Sequence, residues 1–218
     1  APTNAEQTIR NVTLSYGNGN NRLVAADLGG RFGHVGEFGY RFNVAHEDLD
    51  PYIKNTKGHR DLVALAMDWR INADSKLEWE FEQSHREQIG VSAYSLLGNA
   101  LPPAADGTRN ITRQSWSQPG VFDALTGSVR LKQNLEGGWL WTTQYGTQRL
   151  RTDDRLGYAW GCGTESNYDR FCSNGNFDLY DFRSDNEKRL TETIQTGISG
   201  KAVIAGLENH LDFEIMRN

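Results

Sequence analysis

Three glutamates recur at every second position between residues 77 and 82, alternating with leucine, tryptophan and phenylalanine: Glu78, Glu80 and Glu82. On a β-strand, residues two apart project from the same face, so these carboxylates form one row. Paired carboxylates are able to perform acid–base chemistry or to hold a cation. Because Lys76 and Arg70 are expected close by, we interpret the row as a charged wall facing a wet interior.

The histidines do not form a recognisable metal-binding pattern. His46 begins a His-Glu-Asp stretch that lacks the second histidine of a metalloprotease helix. The other four are scattered along the chain, and we expect each of them to be solvated or to line the interior: His34, His59, His85 and His210. No nucleophile elbow and no phosphate-binding loop is present. The sequence therefore predicts no enzyme activity, no catalytic residue, no cofactor and no protein metal site.

Two long polar stretches, residues 91–120 and 156–187, collect aromatic and guanidinium side chains, which are Tyr94, Arg109, Arg113, Trp116, Trp160, Tyr168, Arg170, Phe171 and Tyr180. Two interpretations are open. The rings and guanidinium groups bind a small molecule and its oxygen atoms, or they pack the two stretches against each other. Cys162 and Cys172 lie in the second stretch without zinc-site spacing. A disulfide that closes a surface loop is the preferred interpretation and indicates an oxidising compartment, with two free thiols as the alternative.

Alternation of apolar and polar residues predicts the elements that position these groups. Nine strands are predicted, at residues 6–16, 22–32, 37–48, 61–72, 76–90, 121–135, 138–152, 188–202 and 208–217. Short turns follow every second strand, while the longer loops follow the others. In an antiparallel up-and-down meander, all short turns therefore meet at one end and all long loops at the other. The sequence places a band of aromatic residues at the short-turn end: Phe32, Phe38, Tyr40, Trp69, Trp79, Trp139 and Trp141.

Unequal ends, long strands and an aromatic band are typical of a transmembrane β-barrel. The alternative is a soluble all-β protein whose apolar face points inward. A net charge of −5 argues against a nucleic-acid partner. No apolar run reaches the length of a membrane-spanning helix.

Several segments together are similar to the barrel of TonB-dependent outer-membrane receptors, particularly the ferric-siderophore group. These segments are residues 24–30, 38–43, 62–71, 76–82, 98–103 and 115–119. In that family they mark the first barrel strands and the third extracellular loop. Family members have about 22 strands and an N-terminal plug domain. We therefore expect residues 1–218 to be the N-terminal part of the barrel domain, about nine strands, with the plug and the remaining strands absent.

The resemblance implies a receptor in the bacterial outer membrane that binds and imports a ferric siderophore, or a similar metal chelate, with energy supplied by TonB. Its partners would be the chelate, outer-membrane lipid and the TonB complex acting through the plug. The aromatic and arginine residues of the two long stretches would then contact the chelate at the extracellular mouth. Two other functions stay open: a passive porin or adhesin-like barrel, and a soluble all-β ligand-binding module.

Overall fold

The computed structural model describes residues 2, 7–92, 94–103 and 106–218. Across these residues the chain forms one antiparallel sheet of nine strands in sequence order. The strands are β1 (Ile9–Tyr16), β2 (Arg22–Phe32), β3 (Phe38–Leu49), β4 (Gly58–Arg70), β5 (Ser75–Gln88), β6 (Gly120–Leu135), β7 (Trp139–Ala159), β8 (Leu179–Ile204) and β9 (Leu207–Arg217). The predicted all-β up-and-down meander is confirmed. No helix in the described part of the chain is long and apolar enough to cross a membrane.

The predicted strands agree with the structure except around the second long loop. Residue 6, the predicted start of the first strand, lies outside the described residues. The predicted loop over 156–187 is wrong at both ends, because β7 continues to Ala159 and β8 already begins at Leu179. A register shift between Thr152 and Asp154 lets the strands pair again beyond it. The rings of Tyr158 and Tyr180 then stack at 5.3 Å between centroids.

The two ends of the sheet differ as predicted. Residues 33–37, 71–74, 136–138 and 205–206 connect strands at one end, called here the turn end. Residues 17–21, 50–57, 89–119 and 160–178 connect them at the other, the loop end. The turns after β6 and β8 each contain glycine at positive φ, Gly137 at 74° and Gly206 at 80°. Glycine adopts this backbone conformation without the steric cost that other residues pay.

Strand register sorts the side chains into two faces. Phe42 lies opposite Leu65, and Leu65 lies opposite Phe81, so apolar residues from neighbouring strands form continuous rows. The apolar face, defined by these rows, contains Val12, Leu14, Val24, Leu28, Tyr40, Phe42, Val44, Val63, Leu65, Met67, Leu77, Trp79, Phe81, Val129, Leu131, Ile194, Ile198 and Phe213. The opposite face, called the polar face, carries Glu78, Glu80 and Glu82 of β5.

The apolar face is open. The chain exposes 14472 Å² of accessible surface, whereas a compact monomer of this mass would expose about 10,000 Å². In the described ranges the buried apolar residues are Ala159, Cys162, Phe171 and Cys172, all in or beside the loop between β7 and β8. No second layer of described residues therefore covers the apolar face.

Aromatic rings border the apolar face at the turn end. Phe38 stacks between Phe32 and Trp69, with ring centroids 5.3 and 5.8 Å apart. The Trp139 ring lies directly over Gly200, where an added β-carbon would overlap it. Glycine at this position therefore lets the indole lie flat on the neighbouring strand.

Candidate ligand-binding site at the loop end

The two long loops, residues 89–119 and 160–178, dock onto each other and are named the loop cap. The Gly98 N–H donates to the Phe171 carbonyl at 3.0 Å, and the Phe171 N–H donates to the Leu96 carbonyl at 2.9 Å. The Ser95 hydroxyl donates to the Asp169 carbonyl at 3.2 Å. These three hydrogen bonds join the two loops into one unit at the loop end of the sheet.

A disulfide holds the second loop of the cap together. Cys162 and Cys172 are bonded and almost completely buried. Phe171, which is also buried, packs against Phe177 with centroids 5.0 Å apart. The structure therefore gives Phe171 a packing contact inside the cap, whereas the sequence analysis left packing and ligand contact open.

The guanidinium groups of Arg113 and Arg170 form hydrogen bonds within the loop cap. Arg113 donates to the backbone oxygens of Gln114 and Ser117 at 2.6 and 3.0 Å. Arg170 forms an ion pair with Asp169 at 2.8 Å and donates to the Asn99 side chain at 2.5 Å. Arg109 accepts a hydrogen bond from the Tyr94 hydroxyl through its carbonyl oxygen. Arg113 and Arg170 thus act first as links within and between the loops.

Several predicted aromatic residues stay exposed at the loop end. Trp160 and Tyr168 are exposed within the second loop, and Tyr94 and Trp116 within the first. Tyr180 is exposed as well, although it stacks on Tyr158 at the start of β8. These rings supply apolar surface to a ligand that approaches the cap from outside.

Two carboxylates stabilise the turns of the cap. The Ser173 hydroxyl and backbone N–H donate to Glu165, and these hydrogen bonds lower the pKa of the Glu165 carboxyl. The guanidinium of Arg170, which donates to Asp169 in a bidentate pair, lowers the pKa of the Asp169 carboxyl. Both carboxyl groups therefore favour the ionised form, in which they accept hydrogen bonds from the loop.

Below the cap, the polar face contains a recess of about 370 Å³ that the sequence analysis missed. It is called the polar-face recess and is lined on that face by Leu23, Ala45, Glu47, Arg60, Leu62, Ser84, Arg86, Phe122 and Ala124. Register explains the grouping, because Arg60 lies opposite Arg86 and Arg86 lies opposite Phe122. Only this cross-strand pairing, not spacing along the chain, brings them together.

The two arginines of the recess differ in their partners. Arg60 forms an ion pair with Glu47 across β3 and β4. Arg86 donates to the Gln88 side chain at 2.6 Å, and within the described residues no carboxylate forms an ion pair with it. Like charges directly opposite each other destabilise a sheet unless something compensates them. An anionic group beside Arg86 and the exposed ring of Phe122 would provide that compensation.

Further toward the turn end, the polar face is a network of paired charges. Glu78 forms ion pairs with Lys76 at 2.7 Å and with Lys132 at 3.1 Å. Arg31, almost completely buried, forms an ion pair with Asp68 at 2.7 Å. Glu78 is therefore surrounded by cations of its own strand and of the neighbouring strand β6.

Comparison with known proteins gives the architecture its context. No protein-family model matches the chain. A ferrichrome receptor of Yersinia enterocolitica is 23% identical over 150 residues, which are 68% of this chain and 19% of the receptor. The chain thus spans about a fifth of that relative's length.

Solved structures of siderophore receptors match nearly the whole chain. A pyoverdine outer-membrane receptor of Pseudomonas aeruginosa, bound to pyoverdine, has a TM-score of 0.82 at 15% identity, covering 96% of this chain and 30% of the receptor. A ferric preacinetobactin receptor of Acinetobacter baumannii has a TM-score of 0.77 at 15% identity, covering 97% and 30%. The predicted resemblance to TonB-dependent siderophore receptors is confirmed. The nine strands have the fold of part of such a receptor's barrel.

These relatives also bear on the chemistry. Their names describe receptors: a ferrichrome receptor, a ferripyoverdine receptor and a ferric-catecholate import receptor. The ferripyoverdine receptor is described with ferripyoverdine bound as its ligand.

Proposed function

We propose that residues 1–218 form the N-terminal part of the barrel wall of an outer-membrane receptor that binds and imports a ferric siderophore. The observation that carries this proposal is the uncovered apolar face, bordered by aromatic rings at the turn end. A surface of this size and polarity requires an apolar environment, which the hydrocarbon of the outer membrane supplies. The polar face then lines the lumen, and the loop cap lies at the extracellular mouth.

The chelate would bind between the loop cap and the polar-face recess. Arg86 offers a guanidinium group without a carboxylate partner among the described residues, and Phe122 offers an exposed ring beside it. Siderophores present carboxylate, hydroxamate or catecholate oxygens on an organic shell, which these two side chains complement. Tyr94, Trp116, Trp160, Tyr168 and Tyr180 would enclose the ligand from above.

Import requires energy, and for this step the resemblance to the receptor family is the support. A plug domain within the barrel would transmit the action of TonB to the bound chelate. The paired charges near the turn end, such as Glu78 with Lys76, would face that plug across the lumen. The ligand would bring the iron, so the chelate is cargo and not a resident cofactor.

Fluorescence titration tests the binding step. The complete protein, as its gene encodes it, is titrated in detergent with ferrichrome, ferric pyoverdine and a ferric catecholate. We expect at least one chelate to quench tryptophan emission. Arg86→Gln should weaken its binding by roughly 10- to 150-fold, the effect of losing one charge-assisted hydrogen bond.

Lys201→Gln serves as the matched control, since it also removes one positive charge but lies beside the turn between β8 and β9. It should leave the dissociation constant unchanged. The proposal fails if no chelate quenches the wild-type protein and a deletion strain grows normally on each of them as sole iron source.

A further inference from the structure

Three of the five histidines meet on the apolar face, at its margin toward the loop end. The ring centroid of His59 lies 5.2 Å from that of His85 and 6.3 Å from that of His46. These residues lie on β4, β5 and β3, so they approach each other only through strand register. Histidine nitrogen is a common zinc ligand, and the sequence analysis, which treated the histidines as scattered, missed this cluster.

Coordinating atoms of His59, His85 and Glu87 all lie within 4.8 Å of one another. Glu87 is directly opposite His59 on the neighbouring strand, and His85 precedes Glu87 by two residues on the same face. Tetrahedral zinc with bonds of about 2.0–2.2 Å places its ligand atoms about 3.4 Å apart. Small side-chain rotations would therefore bring these three atoms to bonding distance, without any change of backbone.

Carboxylates orient two of the three clustered imidazoles, those of His85 and His46. Nδ1 of His85 lies 2.6 Å from Oδ1 of Asp123, and Nδ1 of His46 lies 2.6 Å from Oδ1 of Asp61. An ionised carboxylate only accepts hydrogen bonds, so Nδ1 is the donor in each pair, which leaves Nε2 of His85 as the atom that would bind a metal ion. The Nδ1–H bond to a carboxylate is the usual orienting contact of a metal-binding histidine.

We propose that His59, His85 and Glu87 bind a divalent transition-metal ion, of which Zn²⁺ fits the donor set best. Two imidazole nitrogens and one carboxylate oxygen are suitable zinc ligands, and water or substrate completes such sites. The two histidine side chains are 38% and 29% exposed, so an ion reaches them from outside. Asp123 is the positioning residue, since it orients His85 without contacting the metal. This site lies on the opposite face from the polar-face recess and does not depend on siderophore binding.

Equilibrium dialysis against Zn²⁺ alone tests the proposal, using the complete protein in detergent and in buffer free of other metals. Wild-type protein should bind one more Zn²⁺ per chain than the His59→Ala/His85→Ala variant. Glu87→Gln, which keeps the size of the side chain, should weaken the site measurably. Asp123→Asn should lower the affinity by roughly 10- to 100-fold while one equivalent still binds at saturation.

His210→Ala is the matched control, because His210 lies on β9, away from the three clustered histidines. It should bind as many zinc ions as the wild type. Equal zinc stoichiometry and affinity in the wild type, the double variant and Glu87→Gln would overturn the proposal, and the histidine–aspartate pairs would then be ion pairs only. Should the double variant fail to assemble, Glu87→Gln and Asp123→Asn decide the question alone.

Discussion

Phe81 provides the sharpest test of the orientation of the sheet. It lies midway along β5 on the apolar face, four residues from Leu77 at the aromatic border and four from His85 at the histidine margin. The eight residue-to-residue steps from Leu77 to His85 extend about 26 Å along the strand. With the usual barrel tilt of about 35–45°, this corresponds to roughly 20 Å along the membrane normal. Phe81 therefore lies near the middle of the apolar band.

Placing arginine at this depth on a lipid-facing position destabilises a barrel by about 2–4 kcal/mol. Phe81→Arg should accordingly reduce the folding equilibrium constant roughly 30- to 900-fold. The measurement is a urea titration of the complete protein folded into phospholipid vesicles, followed by tryptophan emission.

Glu80→Arg is the control, since Glu80 is the preceding residue and projects from the polar face. The unfolding transition of Glu80→Arg should shift far less, because one charged side chain replaces another at a position that faces the aqueous lumen. Equal shifts for the two variants, or a larger shift for Glu80→Arg, would refute the assignment of the apolar face to lipid.

Three further predictions concern the loop cap and the buried ion pair. A Cys162→Ser/Cys172→Ser variant should lose about 3 kcal/mol of local stability and exchange the cap's backbone amides on the order of 100-fold faster by mass spectrometry; unchanged exchange would contradict a constraining role. Arg31→Met, which leaves a buried carboxylate on β4 without its partner, should lower unfolding stability by about 3–5 kcal/mol in the same urea assay, far more than Lys201→Gln. The lowered pKa of Glu165 means that its contribution to the cap is complete above its ordinary value of 4.5 and disappears as the pH falls through the lower folded-state pKa. Protection of the Ser173 amide from hydrogen exchange should follow the titration of Glu165, and this pH dependence should disappear in Glu165→Gln.

The strands were predictable because the alternation of apolar and polar residues marks their positions. Where one face is apolar and the other polar, a period of two appears in the sequence, and β2, β3 and β6 agree with their predicted bounds within one residue. β7 and β8 were underestimated because their outer parts, such as Asp181 to Arg183, alternate weakly. The register shift near Asp154, which allows pairing to continue, has no clear signal in a single sequence.

Both sites depended on information that alternation does not contain. Arg60 and Arg86 are 26 residues apart, and so are His59 and His85; each pair meets only when the register of β4 and β5 is known. A slip of one residue would move every side chain of a strand to the other face. Alternation predicts which residues share a face within one strand, whereas cross-strand neighbours require the turns to set the pairing.

His85 and Arg86, two consecutive residues of β5, belong to different candidate sites. Consecutive residues point to opposite faces, so one lies in the histidine cluster and the other in the polar-face recess. The apolar face ends in stacked rings at the turn end but in alternating histidine and aspartate at the loop end. The proposed metal site accounts for this histidine margin, because His59, His85 and Glu87 would supply the ligands there and Asp123 orients His85.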